Sequence, residues 1–123
     1  MTSPNSAVRY RWEELATDRP MALLERRRIV GERVMLSYVT LKKGCVVPSH
    51  AHENEQFACV MSGRARFEVG SGEGSARRNL VLVGGEVLHF PSNVPHAAEA
   101  LEDTVVLDVF SPPSEKTGID RNG

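Results

Sequence analysis

The chain is poor in several features that mark specialised proteins. Only two of its 123 residues are cysteine, Cys45 and Cys59, so it has neither a disulfide framework nor a paired-cysteine zinc site. Neither charge sign is in excess: 15 Lys and Arg stand against 16 Asp and Glu, a net charge of −1. Nucleic-acid-binding domains carry a basic surplus, so no nucleic-acid partner is expected. Long hydrophobic runs are missing. Stretches such as 80–83 and 105–107 fall far short of the roughly 20 apolar residues a membrane-spanning helix needs. The opening MTSPNSAVRYRWEE lacks the apolar segment of a secretory signal, and a cytoplasmic location is the default expectation. No repeat, heptad pattern or long amphipathic helix occurs.

What is present is an ordinary globular mixture, 25% charged and 41% hydrophobic, long enough for one domain over residues 1–123. Residues 13–16 read as one short helical turn. From about residue 22 to 111, which should hold the core, short apolar runs alternate with Gly and Pro. Strands are expected over 34–41, 56–61, 64–69, 79–83, 87–90 and 104–110, with GSGEGS (70–75) as a hairpin loop and a polar surface tail after Phe110. In 64–69 the alternation is strict, with Ala65, Phe67 and Val69 on one side and Arg64, Arg66 and Glu68 on the other. Many short strands at this spacing make an all-β sandwich or barrel.

Three of the four histidines are placed as metal ligands would be. His50 and His52 are two apart in PSHAHENEQ, and on extended chain residues i and i+2 share a face. Gln56 lies four beyond His52, and His96 follows the turn in FPSNVPH. For an isolated His-x-His, two surface histidines would be the better reading. The wider spacing changes this. Gly44, five residues, His50-Ala51-His52, three residues, Gln56, six residues and Gly63 reproduce the first cupin motif. Gly85, five residues, Pro91, one residue, Asn93, two residues and His96 reproduce the second. The chain thus resembles the cupins, which implies a double-sheeted jelly-roll β-barrel. It departs from the pattern at Gln56, where cupins usually carry glutamate, and at Ala100, where an asparagine is usual.

The glutamine alters the chemistry. With three neutral imidazoles and a carbonyl oxygen as ligands, a divalent ion keeps its full charge and becomes a stronger Lewis acid and anion site. This points to a small anionic substrate, one that carries a carboxylate or develops an oxyanion. Glu53 and Glu55 flank the motif as solvated loop charges or substitute ligands. Imidazole suits several transition metals, so the spacing does not select one.

In the last strand Val106, Asp108 and Phe110 share one face. An aspartate among apolar neighbours is either a structural residue with a partner or a carboxyl tuned for proton transfer. Phe110 reads as a pocket wall or a core residue. His89 reads equally as a pocket-lining, substrate-contacting residue or a packed one. Cys59 reads as a small core residue. Arg26, Arg27 and Arg28 read as a solvated face, or as a carboxylate clamp if one reaches the barrel mouth.

The segments HAHENEQ, FPSNVPH and ALEDTVVLDVFSP are similar to those of the small single-domain cupins of pectin and alginate breakdown, which linearise 4,5-unsaturated monouronates into 4-deoxy-5-keto-uronates. The likeness runs from Trp12 to Pro112. It implies one divalent transition metal (nickel, zinc, iron or manganese) on His50, His52, Gln56 and His96, with Asp108 and Phe110 in the active site. A homodimer is also implied. The family's arginine a few residues past Phe110 is replaced here by Ser114, so a substrate carboxylate calls for the metal or an arginine of an earlier strand. An iron-dependent cupin dioxygenase and a non-catalytic ligand-binding cupin are the competing readings.

Overall fold

The computed structural model describes residues 6–70 and 77–114. Most of GSGEGS and the tail from residue 115 onward lie outside them. The described residues form ten strands: β1 (Asp18–Met21), β2 (Leu24–Val30), β3 (Met35–Leu41), β4 (Val46–His50), β5 (Glu55–Ser62), β6 (Arg64–Val69), β7 (Arg78–Val83), β8 (Val87–Phe90), β9 (His96–Ala100) and β10 (Thr104–Ser111). They build a six-stranded sheet in the order β1-β2-β3-β10-β5-β8 and a four-stranded sheet in the order β4-β9-β6-β7. Every pairing is antiparallel. A 3-10 turn at Trp12–Glu14 replaces the expected helical turn, and Trp12 packs on Tyr38 with ring centroids 5.1 Å apart. No helix among the described residues is long and apolar enough to cross a membrane.

Period-two alternation sets the core. Met35, Ser37, Val39 and Leu41 of β3 point inward, as do Thr104, Val106, Asp108 and Phe110 of β10. Facing them across the barrel, the four-stranded sheet turns in Ala65 and Phe67 from β6 and Ala98 and Ala100 from β9. The three alanines leave space inside the barrel instead of filling it.

Strands β1, β2, β4 and β9 go beyond the sequence reading. Alanine is a poor strand former and HAAEA carries little apolar signal, so β9 exists because β4 and β6 pair with it on both sides. In β2 three consecutive arginines hide the pattern. Arg26 is not solvated: it is 3% exposed. Its Nε and Nη2 donate to the two carboxylate oxygens of Asp18 at 3.0 and 2.9 Å, the partner a buried guanidinium requires. Cys59 likewise departs from expectation. It is only partly buried, on the outward side of β5, while Cys45 is the core cysteine at 1% exposed. Burial raises the pKa of both thiols, which keeps them protonated and unreactive.

One motif glycine and one motif asparagine set the turns. Gly63 has φ +90°, and a Cβ there would lie 2.3 Å from the Asp103 carbonyl oxygen, so no other residue fits without moving the backbone. At the other motif Asn93 takes the left-handed conformation, φ 65°, which turns the chain from Pro91 back to His96.

Candidate metal centre

The site lies at one end of the barrel, where both sheets contribute. His50 closes β4 and sits directly across from His96, the first residue of β9. His52 follows in the loop, and Gln56 points inward near the start of β5. The three imidazoles form a tight cluster, with centroids 4.4 Å apart for His50 and His96, 5.1 Å for His52 and His96, and 5.6 Å for His50 and His52. One ring nitrogen from each lies within 4.8 Å of the others.

Backbone carbonyls decide which nitrogens converge. The Nδ1 of His50 lies 2.8 Å from Pro48 O, that of His52 3.0 Å from Asn54 O, and that of His96 2.9 Å from Val94 O. A carbonyl only accepts, so each Nδ1 carries the proton and each Nε2 keeps its lone pair, the arrangement in which histidine binds metals. His96 Nε2 is buried without a hydrogen-bond partner, costly for a polar atom unless an ion completes it. Burial, chiefly, and then the neighbouring His50 and His52 lower the His96 pKa to about 4, against the bond to Val94, which raises it. His96 is therefore neutral at physiological pH, the ligand form.

Gln56 joins this cluster to Asp108. Its amide Nε2 donates to Asp108 Oδ1 at 2.9 Å, which turns its Oε1 toward His52 Nε2, 3.1 Å away. Both facing atoms are acceptors, and two lone pairs at that distance repel unless a cation lies beside them. The donor set thus fits a divalent transition metal: three imidazole nitrogens and one neutral oxygen. Asp108 is 7% exposed. In the metal-free protein burial pushes its carboxyl up to about 7, only partly offset by the bond from Gln56; a cation on the neighbouring Gln56 would lower it again.

Phe110 meets His52 edge-on, centroids 5.7 Å apart, and Phe90 stacks on His96 at 4.1 Å. The cavity beneath is open to solvent on one side. His50, Gln56, His96 and Asp108 supply polar lining, and Leu24, Val39, Phe67 and Phe110 are among its apolar lining. His89 is not brought to the cavity. It lies on the outer face of β8, stacked on Phe57 at 4.6 Å and 2.7 Å from Glu55 Oε2. That contact also turns Glu55 away from the imidazoles. Asn54, which holds His52 through its carbonyl, carries no signal in the sequence because it stands between two exposed glutamates.

Fold and site together define a histidine-centred, double-sheeted β-barrel. The cupin domain family matches residues 37–110, and the chain belongs to it. Among solved structures it is similar to KdgF from Halomonas sp., at 24% identity and TM-score 0.80 over 89% of this chain and 97% of that one. An RmlC-like cupin from Shewanella frigidimarina is similar at 23% identity and TM-score 0.79, over 89% and 95%. The oxalate decarboxylase of Bacillus subtilis, described with Mn(II) centres, matches at 20% identity and TM-score 0.76 over 94% of this chain and 33% of its own length. No curated protein matches the sequence.

Proposed function

We propose that the protein is a metal-dependent cupin enzyme that opens the ring of a 4,5-unsaturated uronate, or a related sugar acid, and tautomerises it to the keto form. The observation that carries this reading is the contact between Gln56 and Asp108. One amide offers its oxygen to the imidazole cluster and its N–H to a buried carboxyl, coupling a neutral ligand set to a proton carrier. The likeness to KdgF in fold, and of the HAHENEQ and LDVF segments to the uronate-linearising cupins, supports the substrate class.

The proposed ligands are His50, His52, His96 and Gln56, and the ion is nickel, zinc, iron or manganese. Bound there, it would supply Lewis acidity, polarising substrate oxygens and holding negative charge as it develops. Asp108 is the proposed acid and base. Its carboxylate takes the proton from the C1 hydroxyl as the bond between C1 and the ring oxygen breaks, leaving an aldehyde at C1 and the electron pair on the oxygen attached to C5. The carboxylic acid then delivers that proton to C4 while the C5 oxygen becomes a ketone. Substrate and product are isomers, so one group completes the cycle. Phe110 would wall the site beside His52.

The test is loss of the conjugated double bond of freshly generated 4,5-unsaturated galacturonate or mannuronate, followed against the spontaneous rate with the bound metal quantified. Metal-dependent acceleration supports the reading; none at full occupancy refutes it. Iron-dependent oxygen uptake would favour a cupin dioxygenase, and binding without product a ligand-binding module. The outward Phe57, Met61 and Val87, 43%, 56% and 56% exposed, support a homodimer burying this face. Sedimentation of the wild type against Phe57→Glu checks it.

A further inference from the structure

Asn54 is 3% exposed between two exposed glutamates. A polar side chain buried to this degree needs a hydrogen-bond partner, and so does the peptide group that carries it. Its main-chain carbonyl accepts the His52 Nδ1 proton at 3.0 Å, and its side-chain amide donates to the Pro112 carbonyl. The neighbouring carbonyls are held as well. His52 O accepts the Asn93 N–H at 2.8 Å and Glu53 O accepts the Ser92 hydroxyl at 2.6 Å. Residues 52–54 are thus fastened on one side to the turn that delivers His96. On the other side they are fastened to the end of β10, two residues past Phe110 and four past Asp108.

We infer that Asn54 is a positioning residue for the metal centre: its side chain clasps the His52 loop to the end of β10 and so fixes the carbonyl that sets the His52 tautomer and ring direction. The inference rests on the metal-centre half of the proposed function and not on the substrate. Without the clasp, the loop that carries this carbonyl keeps its ties to Ser92 and Asn93 but loses the one to Pro112, so the carbonyl is held from one side instead of two. Outer-shell partners of metal-bound histidines change affinity by roughly 10- to 100-fold; here that partner is the Asn54 main-chain carbonyl, and the side chain acts on it by holding the loop in place.

The experiment compares wild type, Asn54→Ala and Asn54→Asp as full-length protein, the last keeping the side-chain shape while replacing the donor with an acceptor. Zn²⁺ affinity is measured by competition with a chromophoric chelator, the ligand field from the absorption of the Co²⁺ form, and the fold from the melting of the metal-free protein. The expected result is a dissociation constant raised about 10- to 100-fold in both variants, an altered Co²⁺ spectrum and a preserved cooperative melt. Affinities within twofold of wild type with an unchanged spectrum would overturn the inference, because Asn54 would then only fill space. Loss of the cooperative melt would also overturn it, placing Asn54 in the stability of the fold. A wild type that binds neither ion would remove the metal centre itself and the inference with it, whereas metal binding without uronate turnover leaves the inference standing and refutes only the substrate.

Discussion

Asp108→Asn separates the two things the buried carboxyl does. Asparagine keeps an oxygen that can accept from Gln56 Nε2, so the metal ligands stay in place, but it carries no transferable proton. Turnover should fall by about 10²- to 10⁴-fold, the usual worth of a general acid or base, with metal affinity within a few-fold. The same substitution has a consequence for stability in the metal-free protein. Burial raises the Asp108 pKa from 3.8 to about 7. A group whose folded pKa lies above its unfolded value contributes stability that is whole below the unfolded pKa and is lost as pH rises through the folded one. Going from 3.8 to about 7 is worth on the order of 4 kcal/mol. Most of that, about 3 kcal/mol, is lost between pH 5 and pH 8. Urea unfolding at both pH values should therefore show wild type losing about 3 kcal/mol more than Asp108→Asn on going to pH 8. His96 titrates in both proteins and cancels in the difference. Equal pH dependence of the two would refute a buried, proton-holding Asp108, and undiminished turnover by the variant would refute its role in catalysis.

Three further variants test the same geometry. Gln56→Glu places a second carboxyl at the 2.9 Å contact with Asp108, where both cannot ionise. It also lowers the net charge of a bound cation, so chelator competition should show tighter metal binding while turnover drops by about 10²-fold. His96→Ala removes the buried Nε2 and should cut bound metal, measured by elemental analysis, from about one ion per chain to a small fraction. In the metal-free state, the His96 pKa of about 4 against 6.5 gives stability that is whole above pH 6.5 and lost as pH falls through 4. His96→Ala should therefore show a shallower acid loss in urea unfolding at pH 7 and 4.5, by up to about 3 kcal/mol. Phe90→Ala empties a 1% exposed position stacked on His96 and should cost about 3–5 kcal/mol in urea unfolding.

The sequence by itself determined the barrel class, the histidines of the cluster and the inward face of the last strand. Motif spacing survives without any knowledge of contacts because extended chain puts alternate residues on one side and glycines such as Gly63 tolerate no Cβ. Period-two alternation placed Ala65 and Phe67 inward in β6, and Val106, Asp108 and Phe110 inward in β10, for the same reason. Only the tertiary structure decided the rest. Periodicity names a face but not what lies across from it, so the partners of Gln56 and the tautomers set by Pro48, Asn54 and Val94 were not legible. Nor did local sequence reveal that His89 stacks on Phe57 outside the barrel while Arg26 is buried against Asp18. Strand β9 shows the limit most plainly: HAAEA is a strand because β4 and β6 supply the hydrogen bonds its residue types do not favour alone, and its alanines leave the cavity over which the imidazoles meet.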